Sequence, residues 1–374
     1  MVDAGHRVTA ISSFRGIHEK YQKQPSGTTF TTSTFVIDTY ELGNSLQHPS
    51  SYSKPMQLIR DLCKILINSN KPIKIIGIIA QSGDQDILSH EEENTLEIGL
   101  TKKAYLRIFK ESHNVFHNHY EGRLNLDRLS RSELDELYYM TLGFLITTNE
   151  HSTIIALHEA LVQRLKSHEY DLEIISCFLT CRMKRINKSS SLWHWLKKLT
   201  LIRINKGEDV DNLLQRALVS CKLHFANYYA NNYLQWVITV CRSKRIDLSD
   251  FQEPLINSCR AHLSDSSIWR TLKIYFRSDE KLVDYMAEEY NRLTGSHLSK
   301  NVVWTNYDDV ITNLFEWLLR LQCNYTTPFR MLIESTESLP TLNKLEEMLN
   351  HSNTEGISEI KAKLQNYKEH IGTI

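Results

Sequence analysis

The chain has 374 residues with 44 basic and 44 acidic side chains, and so carries no net charge. That balance removes the long-range pull typical of nucleic-acid and anionic-membrane binders, so neither partner is expected and recognition should be local and shape-driven. The length exceeds one ordinary core, which calls for several domains or one elongated repeat array.

Residues 1–128 read as a mixed N-terminal region, with Ser, Thr, Pro and Gly punctuating short β-branched stretches such as Thr31–Tyr40 and Ile73–Ile79. Met56, Ile59, Leu62, Ile65 and Leu66 are spaced as one helix face, which predicts a helix over Pro55–Ser69. The acidic stretch Gly83–Glu97 reads as an exposed loop leading into a helix over Leu100–His119. From residue 129 to 337 nearly everything has helical spacing, and Ser130 followed by Glu133 fits a capping box at the start. Shifting this part against itself by 38 places Ile155, Trp193, Asn231 and Trp269 in one column. Three more columns are apolar in all four copies: Leu145, Met183, Cys221, Cys259; Leu137, Ile175, Leu213, Phe251; and Leu161, Leu199, Val237, Tyr275. Polar, cap-type residues recur before each anchor, at Asn149–Thr153, Asn187–Ser191, Asn227 and Ser264–Ser267. The fold class expected is therefore all-α in the main, a right-handed α-solenoid of antiparallel helix pairs with the mixed region at its N-terminus. A displaced fifth pair over Val303–Leu321 and Phe329–Thr336 follows an insertion around Thr294–Lys300, and helices near Leu342–Leu349 and Ile357–His370 cap the array over residues 338–374.

Few residues suggest chemistry. His113, His117 and His119 share one stretch, but without a Cys or carboxylate at ligand spacing they read as a solvated helix end beside Tyr120, and no metal site is expected. Cys177 and Cys181 stand four apart on an apolar helix face and read as packing; all seven cysteines are scattered, which points to a reducing compartment. Gly77–Gly83 lacks the Lys-Ser/Thr of a phosphate loop. The longest aliphatic run, Ile73–Ala80, is broken by Lys74 and Gly77 and falls well short of the roughly 20 residues that span a bilayer. With no signal-peptide core in Met1–Phe14, a cytoplasmic chain without membrane insertion is expected. Tyr228, Tyr229 and Tyr233 cluster at one turn, where they either pack adjacent helices or form a binding surface; Lys188, at another turn, reads as a solubilising lysine.

The turn motifs themselves resemble a known family. Asn227-Tyr228-Tyr229-Ala230-Asn231-Asn232-Tyr233-Leu234-Gln235-Trp236 is similar to the Asn-Tyr-x-x-Trp-x-x-Arg-x-Trp box of protein prenyltransferase α-subunit repeats, with Asn231 for the first Trp and Leu234 for Arg. Lys188–Leu199 with Trp193, Asp265–Tyr275 with Trp269, and Glu133–Leu161 with Ile155 look like further copies, and the best likeness is to the divergent α-type subunit of type III geranylgeranyltransferase. That resemblance implies one subunit of a heterodimeric protein geranylgeranyltransferase. Its partner would be a β-subunit of the Rab-transferase type holding the zinc, with no cofactor in this chain and a protein cysteine, such as that of a SNARE, as acceptor. Lys188 would then touch the isoprenoid diphosphate, and Tyr228 and Tyr229 would face it or the partner. The other reading is a helical-repeat scaffold for protein–protein interaction that has kept the repeats without the enzyme.

Overall fold

The computed structural model describes residues 56–80, 85–119, 124–148, 150–277, 280–299, 305–352 and 356–372. The strand expected over Thr31–Tyr40 lies outside them. The described chain is mostly helical, with one small mixed sheet near its N-terminus.

The first helix, α1 (Gln57–Asn68), buries Leu58, Ile59, Leu62, Cys63 and Leu66, the stripe its spacing predicts. It is followed by β1 (Ile73–Ile79), β2 (Ile87–Glu91) and β3 (Thr95–Thr101), in sheet order β1-β3-β2, with β3 parallel to β1 and antiparallel to β2. The loop expected over Gly83–Glu97 is therefore replaced, within the described residues, by β2 and the start of β3. An edge strand whose last three residues all face solvent carries no alternating pattern to betray it. Next comes α2 (Lys102–His119), against which α3 (Arg131–Thr147) packs so closely that a Cβ on Gly143 would lie 2.2 Å from Ser112 Oγ. Glycine is what lets the two backbones approach there.

Four helix pairs follow: α3 with α4 (Ser152–Leu165), α5 (His168–Leu179) with α7 (Ser190–Asn205), α8 (Asp211–Leu223) with α9 (Tyr228–Ser243), and α10 (Ser249–Ala261) with α11 (Ser266–Phe276). The short α6 (Lys184–Asn187) lies between α5 and α7. The second helices start at a constant interval of 38 because their N-caps do: His151, Ser189, Asn227 and Asp265 each accept a hydrogen bond from a first-turn backbone N–H. Ser130 and Glu133 form the capping box that their spacing predicts at the head of α3. Second helices pack on one another in the order α4, α7, α9, α11, and α5, α8 and α10 form a parallel row of first helices. The apolar columns are buried or half-buried throughout, with Trp193 and Trp269 each the fourth residue of its helix and both enclosed.

Cys181 departs from expectation. The helix carrying Cys177 stops at Leu179, and Cys181 lies in an extended segment paired with β1: Ile76 N donates to Thr180 O (3.3 Å) and Arg182 N to Ile76 O (2.8 Å). Both thiols are buried, and burial pushes the Cys177 thiol up to about 11 and that of Cys181 up to about 12. Beyond α11, α12 (Glu280–Thr294) is an amphipathic helix with Val283, Met286, Ala287 and Tyr290 buried, to which no separate helix was assigned from the sequence; the insertion expected around Thr294–Lys300 begins at its last residue, and Lys300 lies outside the described residues. It packs against α9, and its Glu289 accepts two bonds from Lys197 Nζ of α7 (2.8 and 2.9 Å). Then come α13 (Asp308–Arg320), α14 (Thr326–Ile333), α15 (Leu339–Asn350) and α16 (Ile357–Gly372).

Candidate partner-binding edge at the α8–α9 turn

The turn that joins α8 to α9 is held by bonds from both neighbouring pairs. Asn227, fully buried, caps α9 through Ala230 N, while its side-chain N–H donates to Asn187 Oδ1 (2.5 Å) at the end of α6. Asn187 in turn donates to Leu179 O (2.8 Å) and accepts the Trp193 indole N–H on its carbonyl (2.7 Å). On the other side, Ala226 N donates to Asp265 Oδ2 (3.0 Å), the cap of α11, and Asn231 Oδ1 accepts from Thr271 Oγ1 (2.9 Å). Ala226 itself sits at φ 50°, a left-handed conformation that costs a non-glycine residue about 1–2 kcal/mol. Lys188 Nζ donates to Phe225 O (3.0 Å) and closes the turn from the α6–α7 side.

On this fixed frame three aromatic side chains point outward. Phe225 is 60% exposed, Tyr228 68% and Tyr229 38%, and the two tyrosine rings meet edge to face at 5.5 Å. Lys222, in the last turn of α8, and Lys184, whose charge reaches His224, are also exposed, and neither is in an ion pair among the described residues. His224 donates Nε2–H to Cys181 O (3.1 Å); burial first, then the fields of Lys188 and Lys184, push its pKa down, so it adds no charge at neutral pH. Tyr233, the third tyrosine of the cluster, is instead fully buried against Trp193 and shares a hydrogen bond with Thr200 (2.8 Å). The cluster thus divides, with two rings outward and one packed.

The residues read as repeat anchors lie inside the fold. Trp193, Asn231, Trp236 and Trp269 are enclosed and Ile155 is half-buried. His113 is not the solvated helix end expected of it: its ring lies between Phe109 (4.2 Å) and Phe144 (4.5 Å), and burial pushes its pKa down. His117 is exposed, and the His119 side chain and Tyr120 lie outside the described residues. Among the described residues no three His, Cys, Asp or Glu are grouped to hold a metal ion, and no helix is long and apolar enough to cross a membrane.

Two features escaped the sequence. Phe225 was passed over, although a large apolar residue two positions before a cap is a legible anomaly. The other is a buried hub. Asp171, fully enclosed, accepts from Tyr138 Oη (2.8 Å), His158 Nε2 (2.9 Å) and Trp195 Nε1 (2.7 Å), joining α3, α4, α5 and α7. All of its visible bonding capacity is spent inside the core, so it acts as a fastener of helices.

These features define a mostly helical protein of capped helix pairs with a small N-terminal sheet and one aromatic, cationic turn edge. Residues 52–180 match the family described as the ECM9 N-terminal domain, and residues 192–298 the family described as the ECM9 middle domain. The chain is similar to Protein ECM9 of Saccharomyces cerevisiae, 27% identical over 273 residues, which cover 67% of this chain and 70% of the relative. These matches overturn the resemblance to prenyltransferase α-subunit repeats, and with it the assignment as a geranylgeranyltransferase subunit. The physical reason is visible at the motif: its Asn is a helix cap and its third Tyr and its Trp are core residues, tasks that any tightly turned helix pair sets. The diphosphate role of Lys188, the zinc-bearing β-subunit and the SNARE acceptor rested on that resemblance alone.

Proposed function

We propose that this chain is a partner-binding protein whose helix pairs stack as a right-handed α-solenoid and whose α8–α9 turn edge grips an acidic segment of another protein. The observation that carries this reading is the exposure of Phe225, Tyr228 and Tyr229 together on a turn that neighbouring pairs hold rigid. Aromatic rings are the side chains that most often anchor interfaces, and a turn already fixed in place loses little further freedom on binding. The lysines at positions 184 and 222 supply the charge preference, since an acidic segment would pair with ammonium groups that have no carboxylate of their own. The constant spacing of the caps His151, Ser189, Asn227 and Asp265 supports the solenoid, because equal units stack with equal rotation.

The test compares the proteins retained by the intact chain with those retained by a Phe225→Ser/Tyr228→Ser variant and by Tyr285→Ser, which alters a ring equally exposed on α12. A partner of the edge should be lost with the first variant, kept with the second, and should bind about tenfold or more weakly when a single central ring is removed. Its association should also weaken as salt is raised. Identical partner sets for all three proteins would end the proposal.

A further inference from the structure

A second site lies away from the turn edge. Between α11, the start of α12 and α14 is a cavity of about 360 Å³, within the range of small-molecule pockets. Three cations line it: Arg270 and Lys273 on α11 and Arg330 on α14. Against them stands one lining carboxylate, Glu334, which accepts from Lys273 Nζ (3.0 Å) and lies 3.7 Å from Arg330 Nε. Arg270 is exposed and in no ion pair among the described residues, so the lining carries two positive charges in excess. The remaining wall is mixed, with Ser266 and Ser267 at the start of α11 and an apolar patch formed by Ile274, Leu282 and Met331.

We infer that this cavity binds a small organic phosphate monoester, with the phosphate on Arg270 and Arg330 and the organic group against Ile274, Leu282 and Met331. The charge excess chooses the ligand. A carboxylate supplies one negative charge, whereas a phosphate monoester carries about −1.5 to −2 at neutral pH and three strong acceptor oxygens. Guanidinium groups suit it further, because their planar fork donates two parallel bonds to one phosphate. The apolar patch distinguishes an ester from inorganic phosphate, and a cavity of about 360 Å³ fits a small molecule better than a continuous chain. Glu334 acts against binding, since it competes for Lys273 and Arg330.

Isothermal titration of the full chain with phenyl phosphate tests this, with inorganic phosphate, benzoate and a phosphoserine peptide as comparisons. Phenyl phosphate should bind more tightly than all three. Arg270→Ala should weaken it about tenfold or more, the range for losing a charge-assisted bond. Glu334→Gln should tighten it several-fold, an outcome no merely structural role of Glu334 produces. No binding at millimolar phenyl phosphate overturns the inference, as does binding that both substitutions leave unchanged. Equal affinity for benzoate removes the dianion argument, and tighter binding of the peptide removes the small molecule. The residues are not those of the turn edge, so this inference and the proposed function stand or fall separately.

Discussion

The seam between the sheet and the helix pairs is built differently from the turns inside those pairs. At the seam, Glu173 of α5 accepts from Arg216 of α8 through both guanidinium nitrogens (2.6 and 2.8 Å) and from Lys74 of β1 (2.5 Å). The two cations are almost fully enclosed, with Lys74 side-chain exposure of 4% and Arg216 of 5%, and their other bonds go to Leu66 O, Pro72 O and Ser176 Oγ. At the α8–α9 turn the same task of joining separate elements falls mainly to uncharged groups, the amides of Asn187, Asn227 and Asn231. At the seam enclosed charges make the join; at the turn short polar side chains carry most of it, beside one bond each from the charged Lys188 and Asp265. A buried ion triad fixes one unique register, because any other leaves charges unpaired, whereas a cap can be reused at every turn.

The comparison breaks most sharply at Glu173. Glu173→Ala leaves two enclosed cations without their carboxylate and should destabilise the fold by about 3 kcal/mol or more, with urea unfolding as the measure. Replacing the triad together by Lys74→Met, Glu173→Leu and Arg216→Met should recover a good part of that loss, since the unpaired charge is then gone. If the single change costs no more than an exposed ion pair, under about 1 kcal/mol, the seam is not held by this triad.

The same carboxylate predicts how the seam responds to acid. Burial by itself raises the pKa of Glu173, but the bonds and charges of Arg216 and Lys74 outweigh it and leave the group below its usual range. A carboxyl with a lower pKa in the folded state stabilises fully above its unfolded value of about 4.3 and loses that contribution as pH falls through the folded value. Burial pushes His113, His151, His194 and His224 down, so loss of stability already seen as pH drops below about 6.5 belongs to them. The Glu173 contribution should appear as the part of the loss below about pH 4.3 that is missing from Glu173→Ala. Parallel pH profiles of the two proteins in that window would contradict it.

The turns should give smaller numbers. Asn227→Ala removes a helix cap, worth about 1 kcal/mol, and leaves Asn187 without its amide partner in a buried site, for about 2 kcal/mol in all. Asn227→Ser should lose less, since serine still caps α9. Equal losses for the two would mean that capping contributes nothing there.

This contrast also explains what could be read from the sequence. The helix pairs were legible because their signal is local and repeated: the columns through Leu137 and Leu161 and the cap positions recur at one interval. The sheet was legible only at β1, with five isoleucines in seven residues, while β2 ends in Ser89, His90 and Glu91 and carries no pattern of its own. The triad could not be read at all. Lys74, Glu173 and Arg216 are far apart in sequence, and each alone reads as a surface charge. At the turn edge, Tyr228 and Tyr229 were singled out with both packing and binding readings open, and exposure separates them from Tyr233. The family resemblance failed for a related reason: a cap followed by aromatic residues reports the local demands of a turn, and those demands are shared by unrelated repeats.

The smallest effect concerns Ala226, whose left-handed backbone is the strained point of the α8–α9 turn. Its methyl group is exposed, so Ala226→Gly removes no core packing, and Ala226 N can still donate to Asp265. Glycine relieves about 1 kcal/mol of strain in the folded turn but gives back about 0.5–1 kcal/mol through the greater freedom of the unfolded chain. The net change in urea unfolding should therefore lie within about 0.5 kcal/mol of zero. Binding is where the substitution should show. A turn with a flexible residue between Phe225 and Asn227 must be ordered when the partner docks, so affinity should fall by about two- to fivefold while stability stays level. A stability loss above about 1 kcal/mol would show that the neighbouring bonds fail to hold the turn without the alanine. The α8–α9 turn would then depend on one strained residue and not on the caps of Asn227 and Asp265.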